Sequence, residues 1–187
     1  MGRIGIYGGA FNPPSLGHKQ VAEMASDLFD EIWLVCTYNH ALGKQTVSYD
    51  HRINMCNIMT KDMEKVETTI LKDNGTYEFS KKLKEEFPEH QFTFIIGQDC
   101  ADNFNFWRNW YELQEENPFL IFTRKGYPIN TNQSKWYMKG HHTYIKDVES
   151  LEISSTQIRE LLSKNEDIDH LVSREIIDYI KENNLYV

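Results

Sequence analysis

Between Tyr7 and Val21 the chain places Gly8-Gly9, Pro13-Pro14, Ser15, Gly17 and His18. Glycines lack side chains, so a ligand or a tight turn can approach the backbone closely. The two prolines stiffen the loop and hold it open ahead of a helix. The helix tip beyond Gly17 offers unpaired amide hydrogens and partial positive charge, a natural seat for phosphate. His18, in the first turn, adds a hydrogen bond or a full charge. The chemistry these residues suit is anion binding at a strand–loop–helix junction. A plain turn whose histidine caps or packs fits the same residues, and both readings stand at this point. Neither G-x-x-x-x-G-K-[ST] nor G-x-G-x-x-G occurs, so this is not one of the common nucleotide loops.

Such a loop needs a strand before it and a helix after it. The apolar run Arg3–Tyr7 reads as a buried strand and Gly17–Phe29 as a helix, with Val21, Met24, Ala25 and Leu28 at helical spacing. Buried strands are also expected at Glu31–Tyr38, Val66–Asp73, Phe92–Gly97 and Phe119–Gly126. Between them the pattern predicts helices near Asp50–Met63 and Thr76–Phe87, and an aromatic helix near Cys100–Leu113. "TYIKDV" reads as a short last strand, and "SSTQIRELLSKN" and "SREIIDYIKENN" as closing helices. The Pro-, Asn-, Gln- and Ser-containing stretch Gly126–Gly140 is the expected exposed excursion. Strand and helix alternate, so the expected architecture is α/β: a Rossmann-like, doubly wound parallel sheet, one domain over residues 1–187. In such a sheet, ligands bind beyond the carboxyl ends of the strands, at the switch point beside the first strand.

Composition narrows the function. A chain of 187 residues can bury a core without disulfides or metal. The net charge of -8 opposes nucleic-acid binding, which needs lysine and arginine against phosphates. A local cluster of cations can still hold a small phosphate ligand. No apolar run is long enough to cross a membrane. There is no secretory pattern at Met1–Gly9, and Cys36, Cys56 and Cys100 show no pairing motif, so a cytoplasmic location is expected. His141-His142 lack the neighbouring ligands of a zinc site, and no bound metal is expected from them. Oligomeric state is not readable; a homo-oligomer stays open.

The string "GGAFNPPSLGH" resembles the signature of the nucleotidyltransferase superfamily that carries an H-x-G-H or T-x-G-H motif. Within it, the chain is similar to the nicotinate/nicotinamide mononucleotide adenylyltransferases. "YDHRINM", "IIGQDCADNFNFWRNWYEL", "FTRKGY", "ISSTQIREL" and "IIDYIKENNLY" continue the likeness in the family's order over nearly the whole chain. Two positions depart from the usual bacterial pattern: Ser15 stands for the first histidine and Asn12 for an aspartate.

What the resemblance implies is attack by a mononucleotide phosphate on the α-phosphate of ATP, with magnesium arriving on the ATP and pyrophosphate leaving. Such a nucleophile is already anionic, so catalysis rests on alignment and charge stabilisation, and no catalytic triad is needed. The resemblance assigns catalysis to His18, Ser15, Lys44 and Arg159. It assigns ATP binding to Gly8, Gly9, Ala10, Phe11, His18, Gly97, Asp99, Ser155, Thr156 and Arg159. The pyridine mononucleotide falls to Lys44, Thr76, Tyr77, Trp107 and Arg124, with Trp107 stacking on the ring. Arg52 is left as a structural partner, and Ser154 with Gln157 also suits a capping box. Two alternatives remain: another superfamily enzyme, such as a pantetheine-phosphate adenylyltransferase, and a catalytically inactive nucleotide-binding protein.

Overall fold

The computed structural model describes residues 1–38, 46–71, 75–124, 135–138, 141–148 and 153–186. Six strands, β1 (Arg3–Gly9), β2 (Glu31–Thr37), β3 (Val66–Leu71), β4 (Gln91–Gly97), β5 (Phe119–Arg124) and β6 (Thr143–Val148), form one sheet in the order β3-β2-β1-β4-β5-β6. Every neighbouring pair is parallel. Parallel strands need crossover connections, and helices supply them on both faces.

Strand alternation decides which residues face which layer. Ile32, Leu34, Cys36, Ile95, Leu120 and Phe122 pack beneath α1 (Leu16–Ser26), α2 (Tyr49–Thr60), α6 (Ser155–Ser163) and α7 (Arg174–Glu182). Ile4, Ile6, Phe92, Phe94, Ile96, Phe119 and Ile121 face the other layer, built by α3 (Thr76–Glu86), α4 (Gln98–Asp102) and α5 (Trp110–Glu116).

The central register makes a crevice. β1 pairs with β4 from Arg3↔Gln91 only as far as Tyr7↔Ile95. β1 then continues along β2 to Gly9↔Cys36, and β4 continues along β5 to Gly97↔Phe122. Two adjacent strands therefore separate at their carboxyl ends, and their following helices, α1 and α4, go to opposite faces. This is the switch point at which open α/β sheets bind ligands.

Several boundaries differ from the sequence expectation. β1 runs two residues past Tyr7, to Gly9, because β2 keeps pairing with it. α1 starts at Leu16 and stops at Ser26, before Phe29. The aromatic segment is not one helix. After α4 comes a 3-10 turn, Phe104–Phe106, and α5 opens only after Asn109 takes a left-handed φ of 52°. The expected exposed excursion lies largely outside the described residues. Its described piece, with the 3-10 turn Trp136–Met138, is anchored: Tyr137 is buried and Trp136 stacks on Phe104 at 4.2 Å.

Candidate active site

The crevice floor is bare backbone. A side chain built on Gly8 would meet no atom within 4 Å, although Gly8 sits in a central strand. A void beside the middle of a parallel sheet is where a ligand approaches main chain. Gly9 is different, because a Cβ there would press on the Phe11 ring at 3.0 Å. Phe11, expected at the nucleotide, is 2 % exposed and belongs to the core. Its ring lies edge-on to His18, with centroids 5.1 Å apart, and so supports that histidine from below.

One wall is the first turn of α1. Ser15, buried, is its N-cap: its Oγ accepts from the His18 N–H at 3.3 Å. The His18 ring folds back, and Nδ1 accepts from the Ser15 N–H at 3.0 Å, with Ser15 Oγ at 2.7 Å. This reciprocal cap is a capping box with histidine in place of the usual glutamate. Because Nδ1 is the acceptor, the proton of the neutral ring lies on Nε2. The helix tip supplies fewer free amides than the sequence led one to expect. The Leu16 N–H donates to Leu171 O at 2.9 Å, and that of His18 is spent on Ser15.

Arg159, on α6, reaches the same loop. Its Nη1 donates to Asn12 O at 2.8 Å and its Nη2 to Thr156 Oγ1 at 3.2 Å. Ser154 caps α6 by accepting from the Gln157 N–H at 3.1 Å. Ser155, expected at phosphate, instead donates its hydroxyl to Pro13 O at 2.8 Å. Thr156 remains exposed at the helix start. His18 and Arg159, far apart in sequence, are thus both bonded to the loop Asn12–Ser15.

Beneath the loop lies Arg52, 1 % exposed. Its Nη1 donates to Ala10 O and Thr37 O, both at 2.8 Å, and its Nη2 to Tyr38 O at 3.0 Å. Nε reaches Val47 O at 3.3 Å, and Nη1 also meets Cys36 Sγ at 3.3 Å. A hydrogen bond from Cys56 draws the Cys36 thiol below its ordinary range, against burial and with help from the Arg52 charge. Burial pushes the Cys56 thiol up, and its hydrogen bond to Cys36 adds to the rise. Among the described residues, every hydrogen-bond partner of Arg52 and Arg159 is an oxygen or sulfur that is not a carboxylate. Among the described residues neither guanidinium is paired with a carboxylate, so both lend positive potential to the crevice side of an acidic protein.

The opposite wall belongs to the aromatic layer. Gly97 ends β4, and Asp99 in the first turn of α4 is exposed, its carboxylate folded back over Gly97. Trp107 is half-buried and packs on Phe104 at 5.0 Å, the end of a stack that continues to Trp136. Thr76 opens α3. Tyr77 departs from expectation: its hydroxyl donates to Glu116 Oε1 at 3.0 Å, and Lys81 lies over its ring, so it joins α3 to α5 as found. Lys44 and the Arg124 side chain lie outside the described residues. His141 Nε2 meets Asn117 O at 3.1 Å at the amino end of β6, away from the crevice. Among the described residues, no three His, Cys, Asp or Glu side chains are grouped to hold a metal ion.

A family model described as cytidylyltransferase-like matches residues 6–161, which takes in the crevice and both of its helix tips. The chain belongs to the cytidylyltransferase-like family. Within the family it is similar to a protein of Lactiplantibacillus plantarum described as "Probable nicotinate-nucleotide adenylyltransferase", 34% identical and covering 98% of this chain and 88% of the relative. A protein of Oceanobacillus iheyensis with the same description is 34% identical over 100% of this chain and 97% of its own length. Among solved structures, Plasmodium falciparum nicotinic acid mononucleotide adenylyltransferase complexed with NaAD superposes with a TM-score of 0.89 at 29% identity, covering 100% of this chain and 98% of that one. The same enzyme complexed with APC gives a TM-score of 0.86.

For this family member, sequence reasoning missed how the loop is held. In sequence Asn12 is only a departure from the usual aspartate, yet it is 3 % exposed and bonded to three other segments. Tyr186 carried no signal beyond its place in the closing "NNLY". Both act through contacts that no local spacing reveals.

Proposed function

We propose that this protein is a nicotinate-nucleotide adenylyltransferase, joining the adenylyl group of ATP to nicotinate mononucleotide in the synthesis of a pyridine dinucleotide. The observation that carries the reading is the parted β1–β4 crevice with Gly8 open at its floor and His18 and Arg159 tied to one loop above it. The names of the relatives and of the solved neighbours support the choice of acceptor.

In this reading an oxygen of the mononucleotide 5′-phosphate attacks the α-phosphorus of ATP. The bond from that phosphorus to the bridging oxygen breaks, and pyrophosphate leaves with the electron pair. No proton need be removed from the nucleophile, so the protein supplies alignment and charge. His18 presents its Nε2–H to the triphosphate, and Arg159 and the deeper Arg52 supply positive potential. The Gly8–Gly9 backbone lies beneath the nucleotide, Asp99 faces a ribose hydroxyl or the metal, and Trp107 takes the pyridine ring on its open side. Lys44, Thr76 and Arg124 are assigned to the mononucleotide and Thr156 to the phosphates. In this reading a divalent metal accompanies ATP. Magnesium enters here as part of that substrate, held mainly by phosphate and water oxygens. Cys36, Cys56 and Cys100 are free thiols, which suits a cytoplasmic enzyme.

The test is a side-by-side rate measurement with magnesium-ATP and either nicotinate or nicotinamide mononucleotide, following dinucleotide and pyrophosphate together. Faster equimolar formation of both products from the nicotinate compound supports the proposal. A preference for phosphopantetheine, or nucleotide binding with no pyrophosphate released, refutes it.

A further inference from the structure

We propose that Tyr186 is a positioning residue for adenylyl transfer, its hydroxyl holding Asn12 so that the phosphate loop presents Arg159 to the triphosphate. The inference rests on the function proposed above and adds a residue that lies outside the signature motifs.

The tail is built to reach back. α7 ends at Glu182, and Asn184 and Tyr186 then take left-handed φ values of 49° and 66°. Between them the Leu185 N–H donates to Ile180 O at 3.0 Å, and the Leu185 side chain is buried in the core. This docked turn aims Tyr186 across the sheet edge, where its hydroxyl donates to Asn12 Oδ1 at 2.8 Å. The same Oδ1 accepts from the Val47 N–H at 3.3 Å. On the other side of that residue, the Asn12 carbonyl receives Arg159 Nη1 at 2.8 Å.

Asn12 is therefore a node with three inputs, from the tail, from the segment leading into α2, and from Arg159. Its side chain and its carbonyl are held from opposite sides, so the bonds to both together fix where the residue lies between Phe11 and Pro13. Tyr186 also lies close enough to Arg159 and Arg52 for both charges to act on its hydroxyl, although burial still raises its pKa. No carboxylate occupies Asn12's place, so the hydroxyl orients the loop without cancelling either guanidinium. A displaced Asn12 carbonyl would release Arg159 Nη1 from its anchor and blur its aim at the moving charge. Losses of aim weigh on the transition state more than on ground-state binding.

The test is Tyr186→Phe, which keeps the ring and removes one oxygen, compared with Asn12→Ala and the double variant. Kinetics are run well below each variant's melting temperature. The expected result is kcat lower by about tenfold, the loss of one oriented contact at the transition state, with both KM values within about twofold. The double variant should lose no more than the worse single one, because the two residues act in series. Unchanged kcat in a folded Tyr186→Phe, a loss confined to KM or to melting temperature, or additive losses would each overturn the inference. Absence of turnover in the unmodified chain would instead remove the proposed function, and this inference with it.

Discussion

Replacing Ser15 with alanine separates two ways in which the hydroxyl could serve catalysis. As found, Ser15 Oγ is within 2.7 Å of His18 Nδ1 and caps α1, and the residue is 2 % exposed. The alanine variant loses both roles, but the backbone N–H at 3.0 Å still faces Nδ1 and still keeps the proton on Nε2. The catalytic loss should then be that of one orienting hydrogen bond, about 0.5–1.5 kcal/mol, or about two- to tenfold in kcat. Loss of the N-cap should cost about 1 kcal/mol, lowering the melting temperature by about 2–4 °C. A hydroxyl that touched the triphosphate directly would behave like an oxyanion donor, whose removal costs about 100-fold or more. His18→Ala supplies that larger loss as the internal reference. Pyrophosphate release at saturating ATP and nicotinate mononucleotide, measured for both single variants and the double, distinguishes the cases. Because Ser15 acts through His18, the double should match His18→Ala alone. A loss of about 100-fold in Ser15→Ala, or a double variant that shows the product of the two effects, would refute the reasoning.

Arg52→Met strips partners from three carbonyls bonded at 3.0 Å or less, those of Ala10, Thr37 and Tyr38. At about 1 kcal/mol each, the melting temperature should fall by roughly 6–12 °C, as read by circular dichroism. A shift below 2 °C would show that these bonds do not hold the loop. Trp107→Ala should raise KM for the mononucleotide by about five- to thirtyfold, the worth of a ring–cation contact, and an effect confined to ATP would contradict it. His142 is held at about 4 rather than 6.5, first by burial and then by His141 beside it. The folded ring therefore stays neutral where the unfolded one takes a proton. Its contribution is complete above about pH 6.5 and drains away as pH falls toward 4, so urea midpoints for His142→Phe should fall less over that window than those of the unmodified chain.

Outside the aromatic segment, the amino-acid order by itself determined the elements and their sequence along the chain. Apolar runs such as Ile32–Cys36 and Phe92–Ile96, and periodic segments such as Ile176–Ile180, commit to strand or helix through contacts a few residues apart. The strand–loop–helix junction is legible for the same reason, since Gly8-Gly9 and Ser15–His18 act on their own backbone. Even Ser15's cap reaches only three positions along the chain. The tertiary structure decided what no spacing encodes. Phe11 became core once the sheet edge and α1 closed around it. Ser155's hydroxyl went to Pro13 and Tyr186's to Asn12, partners 142 and 174 positions away. Arg52 found backbone carbonyls because β1, β2 and the start of α2 converge over it. The aromatic segment breaks where Asn109 takes a left-handed φ of 52°, which no right-handed helix interior accepts, and the preceding turn sets Phe104 between Trp107 and Trp136. Which donor meets which acceptor across such distances depends on where the topology sets the chain down, and that is a property of the packed sheet.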